Sequence, residues 1–264
     1  MTDDDIFEAA VFRNDKKIYF ILECNASDIN SINSEGKTPL YLAAENDKED
    51  VVRRLLLQPT IDVNKGCESG DMAGSSPLYA AALNNNLETV TMLIGHPDTD
   101  VNSNGYNPLI DASWYGFTEI VRELLEHPYI DVNIDSEFEN PLRSAAEAGR
   151  EEVVMLLLAH QDIDVNKGIE GGPWAGTTPL NQASWRNHLG TVNLLLSHPD
   201  IDVNKATISD GDNPLLTAVW YNFPEIVQVL LQHPLINVNQ QRHTDWATPL
   251  FLAASRGRDS GINY

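Results

Sequence analysis

Cations are scarce in this 264-residue chain: 17 lysines and arginines face 39 aspartates and glutamates, leaving a net charge of −22. A surface so charged repels phosphate backbones and anionic lipid, so neither nucleic acid nor membrane is an expected partner, and a basic protein is favoured electrostatically. Cysteine is nearly missing too. With only Cys24 and Cys67 present, a disulfide framework is not what holds the fold. The longest unbroken apolar run, Val153 to Ala159, has seven residues, against the roughly 20 needed to cross a bilayer. The opening MTDDDIF lacks the charged-then-apolar profile of a leader peptide. These shortages read as an intracellular protein in a reducing compartment, cytoplasmic with a nuclear location open.

Catalytic signatures are missing as well. No HExxH, GxSxG or Cys–His arrangement occurs. Residues 171–177, GGPWAGT, approach a phosphate-binding loop but lack its lysine. Asp131, Asn133 and Asp135, like Asp200, Asp202 and Asn204, imitate the first ligands of a calcium loop, yet its closing glutamate is replaced by Leu142 and Gly211. No catalytic, cofactor-binding or metal-binding residue is therefore assigned. The alternating acids are expected in solvated turns with the intervening valine pointing inward.

What the chain does have is a repeat. Thr38-Pro39-Leu40, Ser76-Pro77-Leu78, Asn107-Pro108-Leu109, Asn140-Pro141-Leu142, Thr178-Pro179-Leu180, Asn213-Pro214-Leu215 and Thr248-Pro249-Leu250 recur with 31 to 38 residues between prolines. A small hydrogen-bonding residue before proline is a helix start. Eight residues after each proline stand Asp47, Asn85, Gly116, Gly149, Asn187, Asn222 and Gly257, types that tolerate a left-handed backbone and so end a short helix. Thirteen residues after proline come Val52, Val90, Val121, Val154, Val192, Val227 and Ile262, and in the first six units a pair such as Leu55-Leu56 or Leu157-Leu158 follows. That spacing predicts the buried stripe of a second helix. His96, His127, His160, His198 and His233 then form a column before an Ile-Asp-Val-Asn-like segment. Histidines one repeat apart, ~10 Å by helix packing, are too distant to share zinc, so the column is read as meeting the helix dipole. His188 and His243 fall outside it with no obvious partner.

Helix, loop, helix and projecting turn, with T-P-L and A-A signatures over almost the whole chain, resemble the ankyrin-repeat family. The family's histidine after T-P-L is replaced here by Tyr41, Tyr79, Ile110, Arg143, Asn181, Leu216 and Phe251. The resemblance implies an all-α solenoid of stacked helix-turn-helix units with projecting β-turn or loop fingers. It spans a single domain, 1–264, with a degenerate first unit (1–33, with Ala9-Ala10 and then Ile18, Ile21 and Leu22), six full repeats (34–240) and a truncated last unit (241–264). There Gly261 interrupts the second helix, so the C-terminal end is a candidate self-association surface. The family also implies that asparagines after valine (Asn64, Asn102, Asn133, Asn166, Asn204, Asn239) can be oxygenase substrates, a hydrogen-bonding role in the turn being preferred. A longer period overlies the repeat: KGCESGDMAGSSPL (65–78) matches KGIEGGPWAGTTPL (167–180), and WYGFTEIV (114–121) matches WYNFPEIV (220–227).

The pair of positions ending each first helix is the one that varies. In the family this region faces the groove, and here it carries Trp114-Tyr115, Trp185-Arg186 and Trp220-Tyr221, while Trp174 and Trp246 sit in the fingers. Tryptophan, tyrosine and arginine are the types enriched among interface hot spots. These eight residues are the candidate protein-binding site, with packing against a neighbouring repeat as the other reading of each tryptophan. The function read from the sequence is a non-catalytic scaffold or adaptor holding a protein partner on groove and fingers. A regulatory or targeting arm of a larger enzyme or channel, and an ion-binding structural repeat protein, remain as alternatives.

Overall fold

The computed structural model describes Phe7 and residues 29–103, 105–136, 139–172 and 174–256. Thirteen α-helices and no β-strand occur among the described residues. In chain order they are α1 (Pro39–Glu45), α2 (Glu49–Leu56), α3 (Pro77–Leu83), α4 (Leu87–Ile94), α5 (Pro108–Tyr115), α6 (Thr118–Leu125), α7 (Pro141–Ala148), α8 (Glu151–Leu158), α9 (Pro179–Trp185), α10 (Leu189–Leu196), α11 (Pro214–Tyr221), α12 (Pro224–Leu231) and α13 (Pro249–Ser255). The degenerate unit read over residues 6–23, and the last second helix with Gly257, Gly261 and Ile262, lie outside the described residues apart from Phe7. So does most of the C-terminal end singled out for self-association.

The chain divides into two compact units: residues 1–112 with 119–131, and residues 113–118 with 132–264. Each is layered the same way. In the first unit α1 packs on α3, α2 on α4, and each first helix on its own second helix; in the second, α7, α9, α11 and α13 stack in order beside the stack of α8, α10 and α12.

Each first helix starts where the sequence puts it. Thr38, Ser76, Asn107, Asn140, Thr178, Asn213 and Thr248 accept the backbone N–H three residues on at 2.8 to 3.3 Å, relieving one of the donors a helix start leaves unpaired. Each ends at a left-handed residue: Asp47, Asn85, Gly116, Gly149, Asn187 and Asn222 have φ between 54° and 79°. The second helices bury a stripe shifted from the expected one. Val52, Val90, Val121, Val154, Val192 and Val227 are buried with the first leucine of each pair, but the second member is only half-buried, and the residue before each valine (Val51, Thr89, Ile120, Val153, Thr191, Ile226) is buried instead. At about 100° per residue, Val51, Val52 and Leu55 centre the stripe and Leu56 falls at its edge.

The fingers are held by asparagine. Asn30, Asn64, Asn102, Asn133, Asn166 and Asn204 each donate Nδ2–H to a carbonyl of the next finger at 2.6 to 2.7 Å and accept an N–H two residues further along it at 2.7 to 2.9 Å. Asp62, Asp100, Asp164 and Asp202 turn Oδ1 onto the N–H two residues on, so these acids shape the turns, while Val63, Val101, Val132, Val165 and Val203 point inward and are buried. The histidine column also braces the loop: Nδ1 of each lies 3.3 to 3.4 Å from an N–H two residues on and accepts from it.

Two expectations follow. Replacing Asn166 with alanine removes both bonds of one clasp and lowers unfolding free energy by roughly 1–3 kcal/mol, whereas Asn239→Ala, with no following finger to hold among the described residues, changes it by less than about 0.5 kcal/mol; denaturant midpoints measure both. The second concerns Asp111, whose carboxyl is lifted above the ordinary range by burial, against a hydrogen bond from Tyr79. A raised carboxyl favours the fold fully below its unfolded pKa, and that contribution disappears as pH rises through the folded value. Asp111→Asn is therefore more stable than the parent at pH 7, and the gap closes as pH is lowered; an unchanged gap would rule out this origin.

Candidate functional site

All eight candidate binding residues belong to the second unit. Trp114 and Tyr115 close α5, and the left-handed Gly116 folds the chain so that Tyr115 stacks flat on Phe117, centroids 5.5 Å apart and planes 16° apart. Asn222 does the same for Tyr221 and Phe223, at 6.1 Å and 15°. Both tyrosines stay about half exposed, 48% and 47%. The tryptophan of each pair is half-buried instead. Its carbonyl takes an arginine from the following repeat: Arg150 Nε–H donates to Trp114 O at 2.9 Å and Arg256 Nη1–H to Trp220 O at 3.0 Å.

Trp220 is also covered by cations. The guanidinium of Arg256 lies 3.2 Å from its ring centroid and that of Arg242 4.6 Å. Arg186 lies 4.1 Å over Trp185 and pairs with Glu147, which Arg143 also holds at 3.1 Å. Arg143 stands where the family motif has histidine; it is buried, and burial pushes its guanidinium below the ordinary arginine range although Glu147 opposes this. Asn181, at the same motif position, completes a reciprocal cap with Thr178 instead. His188, left without a partner in the sequence, donates Nε2–H to Glu147 O at 2.9 Å, its ring against Gly149, where a Cβ would come within 2.8 Å of it.

Trp174 leaves its finger to stack on Trp185, centroids 5.8 Å and planes 26° apart, while remaining 55% exposed. Trp174, Trp185 and Tyr221 share the wall of a cavity of about 110 Å³ with Gln182, Asp210 and Asp212 among its other lining residues. Trp114, Tyr115, Arg186, Trp220 and Trp246 are not part of that wall. Asp210, Asp212 and Arg242 were missed by motif reading, because loop acids in so acidic a chain carry no signal. Arg242 holds Asp212 in a largely buried pair, with Nη2–Oδ2 at 3.0 Å and Nε–Oδ1 at 2.7 Å. Burial nonetheless leaves the Asp212 carboxyl above its ordinary range. Among the described residues no group of three or more His, Cys, Asp or Glu is placed to hold a metal ion, and no helix is long and apolar enough to cross a membrane.

Trp246 occupies an unusual place. Three residues before the helix-starting proline, five other units have a left-handed glycine (Gly36, Gly74, Gly105, Gly176, Gly211), and Trp246 adopts the same conformation at φ 60° with 71% of its surface exposed. A bulky side chain there is strained by about 1–2 kcal/mol and recovers little by burial. Trp246→Gly should raise unfolding free energy by roughly 1 kcal/mol, read from denaturant midpoints; a loss of stability would show that the indole packs in solution.

Four overlapping stretches, residues 6–103, 61–136, 131–207 and 180–264, match the family model described as ankyrin repeats (3 copies). A comparison with curated proteins gave no match. Ankyrin repeats are protein–protein interaction modules, and proteins made of them are typically non-catalytic. With capped helix pairs, left-handed helix ends and linked fingers repeated along a chain matched from residue 6 to residue 264, this protein belongs to the ankyrin-repeat family.

Proposed function

We propose that this chain is a non-catalytic scaffold or adaptor that binds a basic protein partner through the aromatic ends of its first helices and the adjoining fingers. The observation that carries the reading is the set of half-exposed rings held flat against a second ring: Tyr115 on Phe117, Trp174 on Trp185 and Tyr221 on Phe223. A ring already fixed loses little entropy when a partner covers it, so its buried area converts efficiently into affinity. Trp114 and Trp220 serve chiefly to seat the arginines of the next repeat, so the contact falls to the tyrosines and to Trp174. The net charge of −22 speeds encounter with a cationic surface and makes the association salt-sensitive.

The test is capture from a lysate of the source cells, followed by affinity measurement with the captured partner. A Tyr115→Ala/Trp174→Ala/Tyr221→Ala variant, shown folded by circular dichroism, should lose binding about tenfold or more, since removing hot-spot aromatics typically costs about 2 kcal/mol each. The control Tyr129→Ala removes a ring that is 79% exposed in a finger of the first unit and should leave affinity unchanged. Equal affinity of the triple variant and the parent would remove the aromatic face from consideration.

A further inference from the structure

The repeated finger supplies an internal comparison. Residues 67–75 and 169–177 close the same hairpin: Cys67 N–H donates to Ser75 O at 3.0 Å and Gly74 N–H to Cys67 O at 2.7 Å, with Ile169 to Thr177 at 3.3 Å and Gly176 to Ile169 at 2.8 Å in the second copy. What surrounds the hairpins differs. In the first, Met72 folds inward against Tyr41, Cys67 and Ala80. The rings of Tyr79 and Tyr106 pack 5.0 Å apart, and the Tyr106 hydroxyl donates to Asp71 O. In the second, the position of Met72 is Trp174, that of Tyr79 is Asn181 and that of Tyr106 is Asp212. Both tyrosine rings are gone, the finger tryptophan stacks outward on Trp185, and a cavity of about 110 Å³ opens between the indoles and the acids.

Its size and chemistry restrict the occupant. Whole small molecules and cofactors take roughly 300–1,000 Å³, whereas about 150 Å³ suffices for a single benzene ring, so this space admits one planar side-chain end. Asp210 lines it, with Oδ1 held by the hydroxyls of Thr207 at 2.5 Å and Ser209 at 3.2 Å. Burial works against the Asp210 charge, yet these hydrogen bonds, the Asp212 amide and Arg242 keep its carboxyl below the ordinary range. The neighbouring Asp212 takes the direct ion pair with Arg242, so Arg242 reaches Asp210 only through its nearby charge. Gln182, 2% exposed and also lining the cavity, leaves Nε2 without an acceptor among the described residues, a donor suited to a peptide carbonyl beside an inserted side chain. The protein's own indoles show which cation suits such a wall, because Trp185 and Trp220 are covered by guanidinium groups of Arg186, Arg242 and Arg256. A planar guanidinium stacks on indole and forks onto carboxylate at once, which an ammonium does not.

We propose that the cavity walled by Trp174, Trp185 and Tyr221 receives one arginine side chain of the partner, packed against this aromatic wall with its guanidinium on the Asp210 carboxylate. This rests on the protein-binding reading above and names its specificity subsite. The probe is acetyl-Gly-Gly-Arg-Gly-Gly-amide, titrated into the full chain by calorimetry and tryptophan fluorescence beside the same peptide with citrulline, which keeps the shape and removes the charge. The arginine peptide should bind saturably and the citrulline peptide about tenfold more weakly or less. Asp210→Asn and Trp174→Ala should each weaken the arginine peptide to a similar degree, with Tyr129→Ala unchanged and folding of all variants checked by circular dichroism. Equal binding of the two peptides, indifference to both substitutions, or no saturation by roughly 10 mM arginine peptide would overturn the proposal. With the captured partner the two readings separate. If the triple aromatic variant loses it while Asp210→Asn keeps full affinity, the arginine pocket falls and the aromatic face stands; if neither change matters, both fall.

Discussion

Everything in this fold depends on disposing of unpaired backbone groups at helix ends. A helix leaves several donors at its start and several acceptors at its finish without internal partners, and here the helices are seven or eight residues long, so the ends outweigh the middles. Such helices are far too short to persist alone. They hold because each end is answered: a capping side chain before proline, a left-handed turn after the last residue, and a side chain from the next repeat. Asn86, Arg150 and His188, equivalently placed nine residues after proline, reach back to carbonyls of Ala44, Trp114 and Glu147. The finger asparagines perform the same service between turns. Each repeat therefore completes its neighbour, which explains why a single unit of this kind is not a folding unit.

This dependence also decides what a sequence reader can see. Caps and left-handed positions are local, set by the identity of one residue at a fixed distance from proline, and all six described left-handed helix ends stand where counting from proline put them. The asparagine clasp was only half visible: the residue was identifiable after valine, but its partners lie in another finger, 27 to 36 residues away. Asn30 went unnoticed because its valine is Ile29 and its repeat has no proline. The leucine pairs misled for a geometric reason: the first leucine sits at the centre of the stripe between the two buried residues before it, so the second, about 100° further round, falls at the edge. His188 could not be paired from sequence because its partner is a backbone carbonyl, an atom every residue has.

The candidate site divides along the same line. Paired aromatics at helix ends are conspicuous in composition, so Trp114, Tyr115, Trp185, Trp220 and Tyr221 could be picked out at once. Their division of labour could not, because it depends on which arginine arrives from the next repeat. In both WY pairs the tryptophan ends half-buried against an arginine-bound carbonyl and the tyrosine remains half exposed, an outcome set by the left-handed residue that follows. The cavity is less legible still. It arises from what Asn181 and Asp212 fail to fill, and it becomes recognisable only beside the first copy of the finger, where Tyr79 and Tyr106 occupy the corresponding positions.

Charge ties the two levels together. A chain with 17 cations against 39 anions has few arginines to distribute, yet Arg143, Arg150, Arg186, Arg242 and Arg256 all sit in the second unit on tryptophan rings, tryptophan carbonyls or the Glu147 and Asp212 carboxylates. Neutralising those carboxylates internally is a structural necessity, because an acid buried without a partner would cost several kcal/mol. Asp210 is treated differently. Two hydroxyls and the Asp212 amide hold its carboxylate, and the cation near it, Arg242, makes its direct pair with Asp212 instead, so at this place the fold stabilises a negative charge chiefly by dipoles. An arrangement that satisfies an anion by dipoles leaves its long-range field intact, and a wall of indoles beside it supplies the desolvated surface on which a guanidinium gains most. The same short list of interactions that closes the helix ends inside the protein is thus presented, unfinished, at its surface.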